Sequence, residues 1–353
     1  MTLGARPMPT ASPRDTGPIS ATTPAPPADS PPVVGAVLSI PTGGSPFPAR
    51  PTDAPPFPSR LERHASVPST NDVVRAWLAA GAAEGCVAVA DEQTAGRGRQ
   101  GRRWTAPPGA ALLLSVGFRP AWLPADRVWR LAGIVALAMA DAAEDVAGLA
   151  SGTIRLKWPN DLVVVVAGPG ASLGATDPDA AAALARHTAP LEIRKLAGIL
   201  GETDGLGTDD PRAVIGIGIN ADWPAEAFPA ELASSMTSLG EVSGGRPIHR
   251  NDLLDAFLSR LELRLAALRG GRFDVAGWAE RQVTTGRLAQ LETHGGSTEL
   301  VLATGVDGAS GALLVVAPED GPGDRERAIH AGEITHLRLA PAGPATASPA
   351  GTV

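Results

Sequence analysis

The chain has 353 residues, 44% of them hydrophobic, and a formal net charge of −7 at pH 7, so it is long enough to form two modest domains with buried cores. This acidic balance argues against a general nucleic-acid-binding protein, whose basic surface normally dominates its domain. The single cysteine, Cys86, excludes a disulfide framework and a cysteine-based zinc site, and we expect it to be a buried apolar filler in a reducing compartment. No apolar run reaches the roughly 18 residues of a membrane span, so we expect no membrane partner.

Composition divides the chain into four segments. Residues 1–58 are rich in proline, alanine, serine and threonine, which predicts a disordered tail. The apolar run at residues 33–40 lacks the charged segment of a signal peptide, and we therefore expect a cytoplasmic protein. Residues 59–281 are predicted to form the main domain, residues 282–340 a small all-β domain, and residues 341–353 a second disordered tail.

The predicted elements of the main domain mix helices with strands. The polar run Ser69–Asp72 favours the start of a short helix that stops at Gly81, and a later amphipathic helix is predicted from Asn251, as its cap, to Arg269. The other predictions are strands at 86–90, 111–118, within 153–166, at 194–202 and 213–220, a long helix at 127–146, and an excursion at 167–190 with a short helix at 177–186. The all-β domain is predicted to have strands at 286–291, 298–304, 312–316 and 334–339.

The loop between the strands at 86–90 and 111–118 combines glycine and arginine. It contains Gln93, Gly96, Arg97, Gly98, Arg99, Gly101, Arg102, Arg103 and Trp104. Glycines let the backbone approach a ligand closely, and arginine forks suit phosphate or carboxylate oxygens, with charge-assisted hydrogen bonds worth about 1.5–3 kcal/mol each. We therefore expect an anion site at the edge of a sheet. Because four like charges repel one another, we also expect the loop to be mobile until an anion binds.

Two other interpretations of this loop stay open. Residues 96–101 formally match the G-x-G-x-x-G dinucleotide motif, but that motif should begin an apolar helix, and here Pro107 and Pro108 follow. The second interpretation is a solvated basic loop that binds nothing. The ordered combination of glutamine, glycines, arginines and tryptophan argues against it.

Lysine is rare in this chain. Of 30 basic residues only two are lysines, Lys157 and Lys195. In an arginine-rich background, retained lysines indicate positions that need a compact ammonium group instead of a planar guanidinium. Lys157 and Asp161 also flank a Trp-Pro-Asn turn between two apolar strands, where a charged pair needs a partner or a ligand.

Three glycines, Gly198, Gly216 and Gly218, lie inside predicted strands. Glycine within a strand indicates close approach by a ligand or by backbone, and a β-bulge is the alternative explanation.

Together these motifs resemble the biotin protein ligase family. They are Ser69-Thr70-Asn71, Gln93 with Gly-Arg-Gly-Arg-Gln-Gly-Arg-Arg-Trp, Lys157-Trp-Pro-Asn-Asp, Lys195-Leu-Ala-Gly-Ile-Leu and Gly216-Ile-Gly-Ile-Asn. The resemblance implies an α+β fold: a central mixed β-sheet flanked by helices, related to class II aminoacyl-tRNA synthetases, and a small C-terminal SH3-like barrel. It also implies a two-step reaction. With ATP and Mg²⁺, biotin becomes biotinyl-5′-adenylate, and a lysine of a biotin carboxyl carrier protein then takes the biotin.

The resemblance further implies roles for individual residues. Biotin binding is expected of Ser69, Thr70, Asn71, Gln93, Gly96, Arg97, Lys195 and Gly198. ATP and adenylate binding is expected of Arg99, Arg102, Trp104, Lys157, Asn160 and Asn220. The expected catalytic residues are Lys195, Arg99, Arg102 and Asp161, and Asp161 is also the candidate magnesium ligand.

The chain departs from the family's pattern in three places. The proline-rich tail stands where many members have a helix-turn-helix repressor domain, so no nucleic-acid partner is implied. Residues 167–190 are longer than the usual hairpin, and Asp222 stands where the family often has asparagine. We expect a monomer or weak homodimer. A lipoate ligase and a non-catalytic biotin or nucleotide sensor are the alternative functions.

Overall fold

A computed structural model describes residues 56–167, 191–318 and 325–339 of the protein. All of them belong to one compact unit, Pro46–Val353. The predicted tails, apart from residues 56–58, and the helix predicted at 177–186 lie outside the described residues and stay predictions. Among the helices within those ranges, none is long and apolar enough to cross a membrane.

Seven strands form a mixed sheet in the order β1-β2-β3-β7-β6-β5-β4. They are β1 (Arg60–Val67), β2 (Cys86–Gln93), β3 (Ala111–Phe118), β4 (Ile154–Lys157), β5 (Asp161–Ala167), β6 (Glu192–Asp204) and β7 (Arg212–Asn220). Strand β1 pairs parallel with β2, and the other neighbours pair antiparallel. The arginine-rich loop joins β2 to β3, so it leaves the ends of two interior strands and does not lie along a lateral edge of the sheet.

Helices cover both faces of this sheet. They are α1 (Thr70–Ala79), α2 (Trp129–Ala147), α3 (Leu239–Val242), α4 (Arg250–Arg269) and α5 (Val275–Glu280). In β2, Cys86 and Ala88 pack with α1, whereas Val87 and Val89 join the core formed with α2 and α4. Because alternate residues of a strand face opposite sides, α1 covers one face and the two long helices cover the other. The prediction that Cys86 is a buried filler is confirmed.

A second, five-stranded antiparallel sheet follows, in the order β11-β10-β9-β8-β12. Its strands are β8 (Arg287–Thr293), β9 (Thr298–Val306), β10 (Leu313–Val316), β11 (Arg327–Ile329) and β12 (Ile334–Leu339). Trp158, in the turn between β4 and β5, lies in the core of this sheet with Ala289 and Leu313, and its Nε1 donates to Gly311 O at 3.0 Å. The predicted α+β fold is thereby confirmed, and the second sheet is consistent with an SH3-like domain.

The structure corrects one predicted cap. Helix α4 begins at Arg250 with His249 at the N-cap position, so Asn251 is not the cap. The Asn251 side chain instead accepts a hydrogen bond from Arg63 Nη1 at 2.8 Å, which ties α4 to the edge strand β1.

Candidate active site

A cavity of about 490 Å³ lies on the α1 face of the main sheet and extends to the second sheet at His336. Of the site residues predicted from the sequence, only Gly96 is not among those lining it. The others are Ser69, Thr70, Asn71, Gln93, Arg97, Arg99, Arg102, Trp104, Lys157, Asn160, Asp161, Lys195, Gly198 and Asn220. Motifs separated by up to about 150 positions therefore meet in one space.

Strand glycines make room for side chains of the site. A Cβ atom at Gly218 would come within 2.5 Å of Trp104 Nε1, one at Gly198 within 3.0 Å of the Trp104 ring, and one at Gly216 would collide with Asn71 Oδ1. The pairing of β6 with β7 runs through these positions without a register shift, so bulges are not the reason for the glycines. The close approach to strand glycines that the sequence predicted is therefore present, and the groups that approach these glycines are side chains of the protein itself.

One end of the cavity is lined by uncharged polar side chains whose hydrogen bonds lead to the carboxylate of Glu202. Thr70 N donates to Gln93 Oε1 at 2.7 Å, and Thr70 Oγ1 lies 2.7 Å from Ser115 Oγ. Ser115 donates to Asn71 Oδ1 at 2.5 Å, and Asn71 Nδ2 donates to Glu202 Oε2 at 2.6 Å. Continuous hydrogen bonding of this kind fixes the donors and acceptors that a neutral polar ligand would meet.

Sequence reasoning missed two members of this network, although a signal for one existed. Ser115 is a fully buried polar residue inside the apolar strand β3, and such a residue needs a partner. Glu202 carried no comparable signal. Ser69 occupies the N-cap position of α1, but its hydroxyl makes no capping bond, and it lines the cavity.

The other end of the cavity is cationic. Lys195 Nζ lies 2.6 Å from Asp161 Oδ1 and 5.4 Å from the centroid of the Trp104 ring. Lys157 Nζ donates to Leu337 O at 2.9 Å, and burial of this ammonium group lowers its pKa below the ordinary value. Both lysines of the chain therefore line the cavity.

Two loop arginines contact the second sheet. Arg99 Nη2 donates to Ala331 O at 2.5 Å and to Ile334 O at 3.1 Å, and burial lowers the pKa of its guanidinium. Arg102 Nε donates to Arg99 O at 3.2 Å, and its Nη1 lies 3.4 Å from His336 Nδ1. These main-chain and histidine acceptors connect the loop to the segment around the second sheet, and the mobility of the loop without an anion stays a prediction. His336 was not predicted as a site residue.

Two amide side chains of the site are held by main-chain carbonyls. Asn160 Nδ2 donates to Ile199 O at 2.9 Å, and the buried Asn220 donates through Nδ2 to Thr237 O at 2.8 Å. These bonds fix the orientation of each amide.

The described part of the chain contains no group of three or more histidine, cysteine or acidic side chains that could hold a metal ion. Asp161, the predicted magnesium ligand, is paired with Lys195. Magnesium keeps several waters and binds through one or two carboxylates together with substrate phosphates, so these residues fit an ion brought by a nucleotide and not one held by the protein alone.

The cavity combines uncharged polar side chains such as Thr70 and Gln93 with the cations Arg99, Arg102 and Lys195. Residues 64–220 match the biotin/lipoate A/B protein ligase family. A biotin--[acetyl-CoA-carboxylase] ligase of Mycobacterium tuberculosis is 31% identical over 281 residues, which cover 79% of this chain and 90% of that protein. The chain therefore belongs to the biotin/lipoate A/B protein ligase family.

Other relatives differ in how much of their length is matched. A bifunctional ligase/repressor of Bacillus subtilis is 30% identical over 183 residues, which cover 52% of this chain and 46% of that protein. The solved structure of a biotin protein ligase from Aquifex aeolicus in complex with biotin and ATP has a TM-score of 0.58 at 23% identity, covering 80% of this chain and 99% of that one. This structural likeness supports the fold assignment.

Proposed function

We propose that the protein is an ATP-dependent biotin protein ligase. The observation that supports this most directly is the division of one cavity into a neutral polar end at Thr70 and Gln93 and a cationic end at Arg99, Arg102 and Lys195. A substrate with a neutral ureido head and a carboxylate tail matches that division. The Mycobacterium tuberculosis relative is named for this activity, and the Aquifex aeolicus structure contains biotin and ATP.

In the first step, a carboxylate oxygen of biotin attacks the α-phosphorus of ATP. The bond from that phosphorus to the bridging oxygen of the β-phosphate breaks, and pyrophosphate leaves with the electron pair. Two anions must approach each other, so converging cations offset their repulsion and stabilise charge that develops at phosphorus. The Lys195 ammonium is the proposed contact to both reacting groups. Magnesium is proposed to enter with the triphosphate of the nucleotide.

In the second step, the neutral amine of an acceptor lysine attacks the carbonyl carbon of biotinyl-5′-adenylate. The bond from this carbon to the phosphate oxygen breaks, AMP leaves, and the amine proton passes to solvent. No side-chain nucleophile of the enzyme is required. The proposed acceptor is the biotin carboxyl carrier protein of a biotin-dependent carboxylase.

The enzyme's own lysines are not expected to be acceptors. Lys157 is held by Leu337 O, and Lys195 is paired with Asp161. We predict that incubation with biotin and Mg·ATP leaves both lysines unmodified when the intact protein is weighed by mass spectrometry. Stable labelling of either lysine at one biotin per chain would contradict this.

Biotin-dependent release of pyrophosphate from Mg·ATP tests the proposed function, with transfer to a carrier protein as the second readout. We expect release with biotin and little with lipoate, because the hydrogen-bonding network around Thr70 suits a urea better than a dithiolane. Faster release with lipoate would favour a lipoate ligase. Binding of biotin and ATP without any release would favour a non-catalytic sensor.

A further inference from the structure

A second cavity, of about 290 Å³, lies on the α2 face of the main sheet. Its lining includes Leu162 of β5 and Ile199 of β6, which belong to the core formed with α2. Helix α2 contributes Trp129, Ala132 and Ala136, whose spacing of three and four residues places them on one face of the helix. The volume is close to the lower end of the range for small-molecule sites, about 300–1,000 Å³.

The second cavity is distinct from the active-site cavity, although the two share a wall. The shared wall contains the turn between β4 and β5, where Lys157 Nζ and Asn160 Nδ2 already donate to main-chain carbonyls. Thr70 and Gln93, expected to bind the head of biotin, line the active-site cavity and not the second one. A molecule in the second cavity would therefore approach the main sheet from the face opposite biotin.

Three tryptophans, Trp129, Trp158 and Trp278, line the second cavity, and the ring centroids of Trp129 and Trp278 are 4.8 Å apart. Trp158 Nε1 donates to Gly311 O at 3.0 Å, and Trp129 Nε1 donates to Ala309 O at 3.2 Å. The N–H groups of these two rings are therefore already paired. What the rings offer a ligand is their apolar π surface, which suits a flat aromatic partner.

Gln282 supplies an unused hydrogen-bond acceptor at this cavity. The residue lines the cavity and is only 5% exposed, and within the described part of the chain its Oε1 is buried without a hydrogen-bond partner. Its main chain is fixed beside β4, because Leu156 N donates to Arg281 O and Val283 N donates to Leu156 O, both at 2.8 Å. Folded proteins rarely leave a buried acceptor unpaired, since the lost hydration is not replaced. A donor carried by a ligand would satisfy it.

We propose that the second cavity binds a flat, mainly apolar ring that carries one N–H donor, with the donor directed at Gln282 Oε1 and the ring packed among Trp129, Trp158 and Trp278. The ligand class is that of small aromatic heterocycles such as indole. An acceptor set among apolar side chains suits such a molecule better than it suits water, which needs about two to four polar partners. Binding at this site does not depend on the proposed function.

Indole and benzofuran are matched probes for this site, because they have nearly the same shape and only indole has an N–H group. The Kd of each is measured by ligand-observed NMR titration of the full-length protein. For ligands of this size we expect a Kd for indole of about 0.1–1 mM. Benzofuran should bind about two- to tenfold more weakly, the difference made by one hydrogen bond. In Gln282→Leu the two probes should bind equally, because the acceptor is gone.

Filling the second cavity gives an independent test. Ala132→Leu places a larger side chain in its wall and should weaken the binding of both probes about tenfold or more. Ala76→Leu, at an exposed position of α1, is the matched control and should leave both Kd values unchanged. Biotin and AMP together are expected to fill the active-site cavity, and they should leave the Kd of indole within about threefold of its value without them. Melting temperatures check that each variant is folded.

Four outcomes would overturn the proposal. Displacement of indole by biotin and AMP would place the probe in the active-site cavity. Equal Kd values for indole and benzofuran in the wild type would show that Gln282 is not the acceptor, and an unchanged Kd in Ala132→Leu would place the probe elsewhere. No binding of either probe at about 10 mM would show that the cavity takes no ring of this class. Failure of the proposed function would show differently, as a wild-type protein that releases no pyrophosphate with biotin, and the Gln282 and Ala132 variants would still test the second cavity.

Discussion

Lys195 lies beside Asp161, Trp104 and the strand glycine Gly198. Its Nζ is 2.6 Å from Asp161 Oδ1, and a Cβ atom placed on Gly198 would come within 3.4 Å of that Nζ and 3.0 Å of the Trp104 ring. The ammonium group therefore lies close to a carboxylate, an indole and a strand glycine. A compact ammonium can approach all three, which is one physical reason for lysine at this position in a chain whose other cations are almost all arginine.

We predict that Lys195→Arg lowers biotin-dependent pyrophosphate release by about 100-fold or more, the scale lost with one preorganised electrostatic contact. The wider, planar guanidinium preserves the charge but cannot touch the biotin carboxylate and the α-phosphate together. The melting temperature without ligand should change little. Arg194→Lys, at the neighbouring cation paired with Glu241, is the control. Pyrophosphate release near the wild-type rate would show that Lys195 does not contact the reacting groups.

A second residue-scale prediction concerns Gly218. A Cβ atom there would lie 2.5 Å from Trp104 Nε1, so Gly218→Ala must displace the indole that is proposed to pack on the adenylate. Overpacking of this kind costs about 1–3 kcal/mol, and we expect kcat/KM for ATP to fall about tenfold. Gly305→Ala in β9, where no atom lies within 4 Å of the new Cβ, should have no such effect. An unchanged kcat/KM for ATP in Gly218→Ala would argue against a role for Trp104.

The loop arginines show what a sequence can and cannot predict about a site. Their residue type and spacing predicted an anion site, and they do line the cavity. The sequence could not show that Arg97 is neutralised by Asp72, 25 positions earlier, and by Glu202, 105 positions later. Local spacing carries no information about which distant carboxylate meets a given guanidinium.

At the scale of elements, strands with a continuous apolar pattern were predictable, whereas β1 and β11 were not predicted. Strand β3 has the predicted bounds, Ala111–Phe118, because it is buried along its whole length. Strand β1 was not predicted, since it is an edge strand with mostly exposed and partly charged side chains and so lacks a buried pattern. The three-residue β11 was missed because so short a run has no periodicity.

Strand β12 brings a titratable group to the site. Burial lowers the pKa of His336 below its ordinary value of 6.5, and the nearby cations Lys157, Arg338 and Arg102 lower it further, while Glu292 opposes them. As the pH falls through about 6.5, the unfolded chain takes up a proton at this histidine before the folded protein does. His336 therefore makes the folded protein less stable as the pH falls, and its contribution recovers as the pH rises.

We predict that His336→Gln reduces the loss of melting temperature between about pH 7.5 and about pH 5.5, because glutamine removes this proton uptake by the unfolded chain. Differential scanning calorimetry at both pH values measures it. His249→Gln, at the residue before α4, is the control for the effect of a histidine-to-glutamine substitution itself. An equal loss of melting temperature in the wild type and in His336→Gln would show that His336 is not protonated differently in the two states.

At the scale of the whole molecule, the second sheet is part of the site's construction. Trp158 is buried in its core, and Arg99 and Lys157 donate to carbonyls of residues 331–337. The sequence predicted a main domain and a small β domain from a change in local pattern. It could not predict these contacts, because each joins segments about 150 or more positions apart. Contacts that hold the cationic end of the cavity therefore cross the domain boundary predicted between residues 281 and 282.

The last prediction concerns the proline-rich N-terminal segment. Composition predicts that it contributes little to the fold, since it has few large apolar side chains to bury. In the structure, however, packing against the main domain begins before residue 59. Phe57 packs against the main core, and Ser59 N donates to Gly85 O at 3.0 Å. We predict that deletion of residues 1–55 changes kcat/KM for biotin transfer by less than about tenfold, or roughly 1.4 kcal/mol. Deletion of residues 1–58 also removes Phe57 and should lower the melting temperature relative to the shorter deletion. A larger loss of kcat/KM after deletion of 1–55 would show that the segment takes part in biotin transfer, and equal melting temperatures for the two deletions would show that Phe57 adds nothing to the core.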